Sequence, residues 1–198
     1  MKHFITQGNI TNKRVEENIK KNFPNGIDFC YTDPPWGNGN LKYWKTINKK
    51  ATNFNSDLIT QNELEIKIVN LITENVINYA FIIYGVSVAN SLIKKFKNNP
   101  KVKDVQYYEK KYANNFKNCT ICVTLNEAPI IDFSFLKDTK GLQSLKLICE
   151  KFKDKYKSVL ELFIGIGYYL KVLHKYNFVV VGNELNNARL NKAISKIE

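Results

Sequence analysis

Ser158-Val159-Leu160-Glu161-Leu162-Phe163-Ile164-Gly165-Ile166-Gly167 reads as an apolar strand that breaks into two glycines one residue apart. A helical pattern follows to Tyr176, then the strand Phe178-Val179-Val180-Val181 and a closing helix from Asn187. Strands alternating with amphipathic helices predict an α/β domain with a mostly parallel sheet. Toward the N-terminus the same alternation recurs. His3-Phe4-Ile5-Thr6 predicts a short strand and Val15 to Lys21 a helix. The turn Pro24-Asn25-Gly26 leads into Ile27-Asp28-Phe29-Cys30-Tyr31-Thr32, a buried strand that runs into Asp33-Pro34-Pro35-Trp36. The polar stretch Gly37 to Ser56 predicts a mobile loop. Apolar residues at Leu64, Ile68, Leu71, Ile72 and Val76 predict a helix over 62–78, followed by the strand Ala80 to Tyr84. Val86 to Lys97 predicts a helix stopped by Asn98-Asn99-Pro100. Two strands, Val102 to Tyr108 and Cys119 to Leu125, are joined through Lys110 to Lys117 as an antiparallel hairpin at the sheet edge. A helix from Leu142 to Tyr156 leads back to the opening stretch.

The chain has 198 residues, of which 44% are hydrophobic, enough for the core of one domain. There is no internal repeat, Pro- or Ser-rich linker or low-complexity tract, so a single domain over 1–198 is expected. No apolar run reaches the roughly 20 residues of a membrane span, and residues 1–8 lack the pattern of a signal segment. Those features predict a soluble intracellular protein of the cytoplasm or nucleoid. The formal net charge is +12, which favours polyanionic partners. Arg stands only at Arg14 and Arg189, and Lys, Asn and Ile are abundant, a bias that also fits an AT-rich genome. Cys119 and Cys122 form a CxxC pair, but on a strand residues three apart point to opposite faces. Without a second ligand pair the four cysteines predict packing and no metal site. His3 and His174, the only histidines, offer little material for acid–base chemistry.

Two motifs carry chemistry. Asp33-Pro34-Pro35-Trp36 stands at the C-terminal end of a buried strand, the edge at which open α/β sheets bind ligands. A carboxylate supplies one hydrogen-bond acceptor, and consecutive prolines force a carbonyl outward as a second, since neither nitrogen can join a ladder. Two acceptors suit an exocyclic amino group of a nucleic-acid base. Its lone pair is delocalised into the ring, so it becomes nucleophilic only when both hydrogens are held and the nitrogen is drawn toward tetrahedral geometry. Trp36 offers a flat face for an extruded base. The plain alternative is a strand-ending turn, for which Asp and Pro are also suited. The second motif, Phe163-Ile164-Gly165-Ile166-Gly167, lets a ligand approach the backbone at a helix N-terminus. Glu184, at the end of the next strand, is placed to accept both ribose hydroxyls of an adenosyl group. Leu170 stands where a dinucleotide site has its third glycine, which argues against NAD. Two glycines and an acid are a weak signal alone; with the first motif they become specific.

Together these residues resemble the circularly permuted β group of S-adenosylmethionine-dependent amino-methyltransferases, which includes many DNA adenine-N6 methyltransferases. In that group the Asp-Pro-Pro-aromatic motif also precedes the Phe-x-Gly-x-Gly motif, and the resemblance covers nearly the whole chain. It implies a Rossmann-like methyltransferase fold: a mostly parallel seven-stranded sheet with an antiparallel edge hairpin and helices on both faces. It implies S-adenosylmethionine as cofactor, seated by Phe163, Gly165, Gly167, Asn183 and Glu184. Gly8-Asn9 stands where the group has an acid near the cofactor adenine. Residues 140–163 resemble the segment leading from the methionine end of the cofactor to the glycine loop, with Gly141-Leu142-Gln143 where Lys-Pro is usual. Trp36 in place of Tyr, together with Gly182-Asn183-Glu184, is similar to mRNA adenosine N6-methyltransferases and keeps RNA open as substrate.

Members of the permuted DNA group usually carry a recognition region before the glycine-loop segment. Here only about Asn126 to Thr139 is available, so the resemblance implies low specificity, a very short site, or recognition supplied by a partner subunit or homodimer. Within the loop, Asn38, Lys42, Tyr43 and Trp44 interleave aromatic and basic groups that suit an unstacked strand, since bases stack on rings and lysines track phosphates. A solvated loop is the plain alternative. The leading expectation is adenine-N6 methylation of DNA. RNA adenosine, cytosine N4 and a catalytically silent nucleic-acid-binding subunit stand beside it.

Overall fold

A computed structural model describes residues 1–37, 39, 41–43, 46, 59–111, 117–126, 128–139 and 141–198. The elements in chain order are β1 (Phe4–Gln7), α1 (Lys13–Asn22), β2 (Ile27–Thr32), α2 (Gln61–Asn75), β3 (Val76–Gly85), α3 (Val86–Lys97), β4 (Val102–Lys111), β5 (Lys117–Leu125), a 3-10 turn (Ser134–Leu136), α4 (Leu142–Phe152), β6 (Ser158–Glu161), α5 (Tyr168–Lys175), β7 (Val179–Glu184) and α6 (Asn187–Ile194). All seven strands join one sheet in the order β1-β7-β6-β2-β3-β5-β4. The first five in that order pair in parallel, and β5 and β4 complete the sheet as an antiparallel hairpin.

Composition explains the placement. β2 is flanked by β6 and β3 and covered on both faces, so its residues run apolar without alternation, as buried parallel strands do. Asp28 and Thr32 are the exceptions: Asp28 Oδ2 accepts from the backbone N–H of Lys157 and of Ser158 at 2.8 Å and from the Ser158 hydroxyl at 2.7 Å, pinning the start of β6 to β2. One core, including Val15, Ile68, Leu92 and Cys119, lies under α1, α2 and α3; the other, including Phe29, Phe81, Ile148, Leu173 and Cys122, lies under α4, α5 and α6. Helices therefore cover both faces, and the CxxC pair is split between them. Burial pushes the Cys119 thiol up to about 12, and no cluster of three or more metal-ligating side chains occurs among the described residues.

The structure corrects two expected helix ends and adds a helical stretch to an expected loop. The helix predicted over 62–78 ends at Asn75, whose side chain donates to the Leu71 carbonyl at 2.8 Å. Val76 is already extended and pairs with Ile27, because β2 offers an open parallel edge that outweighs continued helical spacing. The helix predicted to reach Tyr156 stops at Phe152, after which the backbone N–H groups of Lys155 and Tyr156 both turn back to the Phe152 carbonyl. Within the stretch expected as a mobile loop, residues 41–43 are helical, and Leu41 N–H bonds the Gly37 carbonyl at 3.1 Å. No helix among the described residues is long and apolar enough to cross a membrane.

Candidate active site

Parallel pairing brings the C-terminal ends of β2, β3, β6, β7 and β1 to one edge, and a cavity of about 1010 Å³ opens there. Asp33, Pro34, Pro35 and Trp36 line it from the end of β2; Phe163, Ile164 and Gly165 line it from the loop after β6. Asn183 and Glu184 contribute from the end of β7, and Asn9 from the turn after β1. The two motifs, 130 residues apart in sequence at Asp33 and Phe163, thus share one cavity because β2 and β6 are neighbours.

Burial raises the Asp33 carboxyl to about 6, against the opposing hydrogen bonds of Tyr169 and Trp36. Trp36 owes its position to a glycine. Its six-membered ring lies where a Cβ on Gly85 would stand, so a side chain at the end of β3 would displace it. Gly85 has an ordinary φ of −74°, and the need there is for space, not for conformational freedom.

The glycine loop is fastened to Glu184. Gly165 N–H donates to Oε2 at 2.7 Å and Asn186 N–H to Oε1 at 2.8 Å. Burial raises the Glu184 carboxyl and these donors oppose the rise. Each oxygen still has acceptor capacity for a second donor. Asn183 donates through Nδ2 to the Gly8 carbonyl at 3.0 Å, and its Oδ1 has no partner among the described residues. Gly8 itself does not line the cavity: its N–H bonds the Glu184 carbonyl at 3.1 Å and fastens β1 to β7. Gly167 also stays off the wall. It opens α5 with φ +79°, and a Cβ there would fall 2.5 Å from the Ala193 Cα of α6, so its role is close helix packing. Of the loop residues named from sequence, Lys42 lines the cavity and Tyr43 is exposed beyond it. Asn38 and Trp44 lie outside the described residues.

Three groups emerge that sequence reasoning did not single out. Glu161 is fully buried at the end of β6, its Oε1 accepting the Thr32 hydroxyl and the Phe163 N–H, both at 3.0 Å, while Oε2 has no partner among the described residues. Burial pushes its carboxyl up to about 8, and the nearby Asp33 and Glu184 act in the same direction. A lone acid in an apolar strand directly before a glycine loop was a visible signal. Lys110 of β4 lines the cavity while itself only 7% exposed. Its ammonium donates to Ser144 Oγ at 2.5 Å, and Ser144 in turn bonds Thr139 Oγ1 at 2.7 Å. Burial lowers the Lys110 amine to about 8, still mostly charged at neutral pH. It stands beside the start of α4, whose N-cap, Gly141, gives no side-chain cap, so positive charge and helix N–H groups meet on one wall. The third is Tyr169, in the first turn of α5, whose hydroxyl donates to Asp33 Oδ2 at 3.4 Å.

Chemically, the cavity offers acceptors and an aromatic ring at one wall, further acceptors at a second, and positive charge beside a helix N-terminus at a third. No protein-family model and no curated protein matches the chain. Solved structures do match. M1.HpyAVI is 15% identical with a TM-score of 0.63, covering all of both chains, and it has also been solved as a complex with SAM. TTHA0409 from Thermus thermophilus, described as a DNA modification methylase, is 11% identical with a TM-score of 0.63 over 99% of this chain and 96% of its own. The cytosine-N4-specific PvuII DNA methyltransferase is 8% identical with a TM-score of 0.61 over 98% and 86%. At such identities the likeness is one of fold, and it agrees with the sheet order and the edge hairpin: the chain has the Rossmann-like methyltransferase fold.

Proposed function

We propose that this chain transfers a methyl group from S-adenosylmethionine to the exocyclic amino nitrogen of a nucleic-acid base, N6 of adenine in DNA. The observation that carries the reading is the shared cavity: the Asp33-Pro34-Pro35-Trp36 wall faces the same space as the glycine loop, Asn183 and Glu184. The residues fit the cofactor. Glu184 and the unpartnered Asn183 Oδ1 are acceptors for the donors of an adenosyl group, and the glycine loop admits it against the backbone. Lys110 and the start of α4 would hold its carboxylate. When bound, S-adenosylmethionine supplies an electrophilic methyl on sulfur.

The chain's own residues then do the rest. Asp33 and the Pro34 carbonyl accept the two amino hydrogens, so the nitrogen lone pair turns out of conjugation with the ring. The Asp33 carboxylate then takes the proton that the amino nitrogen sheds. A carboxyl raised to about 6 is ionised at neutral pH and able to accept that proton. Trp36 stacks on the base, and Lys42, at the cavity wall, tracks the strand that carries it. The motif order, with the Asp-Pro-Pro strand ahead of the glycine-loop strand, supports a permuted arrangement. In this reading residues 1–198 act as one domain, and target recognition comes from a very short site or a partner subunit.

Cytosine N4 is the second reading, favoured by the cytosine-N4-specific enzyme among the structural matches. Asp33→Ala tests the mechanism for either base. The variant should bind S-adenosylmethionine with unchanged affinity, and more tightly than NAD, yet transfer no measurable methyl. Retained transfer would remove Asp33 from the reaction, and preference for NAD would remove the cofactor assignment.

A further inference from the structure

Tyr31 and Asp33 lie two residues apart along the line of β2, so they project to the same face of the sheet. On that face the ring of Tyr169 meets the buried ring of Tyr31 edge-on, with centroids 5.1 Å apart and an interplanar angle of 79°. That packing fixes the ring and brings the Tyr169 hydroxyl to Asp33 Oδ2 at 3.4 Å. Tyr169 sits two residues after Gly167, whose left-handed φ of +79° opens α5. One side chain thus runs from the glycine loop to the Asp-Pro-Pro turn.

From this geometry we infer that Tyr169 is a positioning residue for Asp33: its hydroxyl, held against Oδ2, orients the carboxyl to accept an amino hydrogen of the base. The inference rests on the proposed methyl transfer for its purpose, but not for its geometry. A donor to Oδ2 favours the ionised carboxylate, the form able to accept both an amino hydrogen and, later, the proton. Burial works the other way and raises the carboxyl, and the buried Glu161 carboxyl interacts with it; the hydroxyl, together with the Trp36 indole, offsets part of that cost. At 3.4 Å the contact is longer than an ordinary O–H···O hydrogen bond, and contacts of this kind tighten when a substrate fills the site. Because Tyr169 lies in the first turn after the glycine loop, a ligand that orders the loop also orders this hydroxyl. Cofactor binding would then set the carboxylate before the base arrives.

The test is the titration of Asp33 in the intact protein, followed by the carboxyl ¹³C resonance of labelled aspartate and assigned by its loss in Asp33→Asn. Tyr169→Phe keeps the ring on Tyr31 and removes the hydroxyl. The midpoint should move up by about half to one pH unit, and the acid limb of kcat/KM should move with it, so that activity lost at pH 6 returns at pH 8. Tyr31→Phe is the control, because the Tyr31 hydroxyl has no hydrogen-bond partner among the described residues; its midpoint should match the wild type. An Asp33 midpoint unchanged in Tyr169→Phe overturns the inference. A midpoint that moves in a protein that methylates nothing would leave Tyr169 as the group that holds Asp33 and would sink the methyl-transfer reading instead.

Discussion

Among single residues, Glu161 ties the site to the stability of the sheet. Its ordinary value is 4.5, and burial in the folded state takes it to about 8. Between those values the folded chain binds a proton that the unfolded chain has lost. The stabilisation is therefore fully present below pH 4.5 and is lost as pH climbs toward 8. Glu161→Gln is neutral at every pH and should remove this dependence. In thermal unfolding from pH 5 to 8.5 the variant should lose less stability than the wild type, with a difference of about 2 kcal/mol or more at the alkaline end. Parallel curves would place the Glu161 carboxyl at an ordinary value. Legibility at this scale followed position. The places of Asp33 and Glu184 at the cavity could be read because each ends an apolar strand at the ligand-binding edge of the sheet. Lys110 was hidden in Glu109-Lys110-Lys111, a charge run that looks like any solvated edge; only folding shows Ser144 above it. Tyr169 looked like an ordinary residue of a helix start, since its partner Asp33 is supplied by a distant strand.

Elements were legible in order and type, and less so at their ends. The apolar runs of β2, β3 and β7 and the period of α2 and α3 identify them without tertiary information. Their ends depend on neighbours: Val76 becomes strand because Ile27 lies beside it, and no local pattern reports that. The junction of β3 and α3 also carries function through Gly85. Gly85→Ala keeps an allowed backbone, since φ is −74°, but its Cβ would occupy the space of the Trp36 ring. The variant should fold, bind S-adenosylmethionine as before, and lose about tenfold or more in kcat/KM through the displaced indole. Steady-state kinetics beside cofactor titration would separate these effects. Unchanged turnover would mean that the position of Trp36 does not matter to the reaction.

For the whole molecule, sheet order decides that the two motifs meet, and net charge decides what can approach them. A charge of +12 predicts nucleic-acid binding through phosphates, so affinity should fall steeply with salt. For three phosphate contacts on a duplex the loss is about 40-fold between about 50 and 200 mM salt; a flat dependence would show that the lysines serve solubility alone. The site and the charge converge on one claim, transfer of methyl to a base amino group. The direct test is to incubate the protein with isotope-labelled S-adenosylmethionine and, separately, single-stranded DNA, duplex DNA and RNA, then digest each pool and identify the labelled nucleosides by mass spectrometry. The account predicts label in N6-methyladenine from DNA. Label in N4-methylcytosine would keep the chemistry and change the base, whereas no label in any pool, with cofactor binding intact, would contradict the claim.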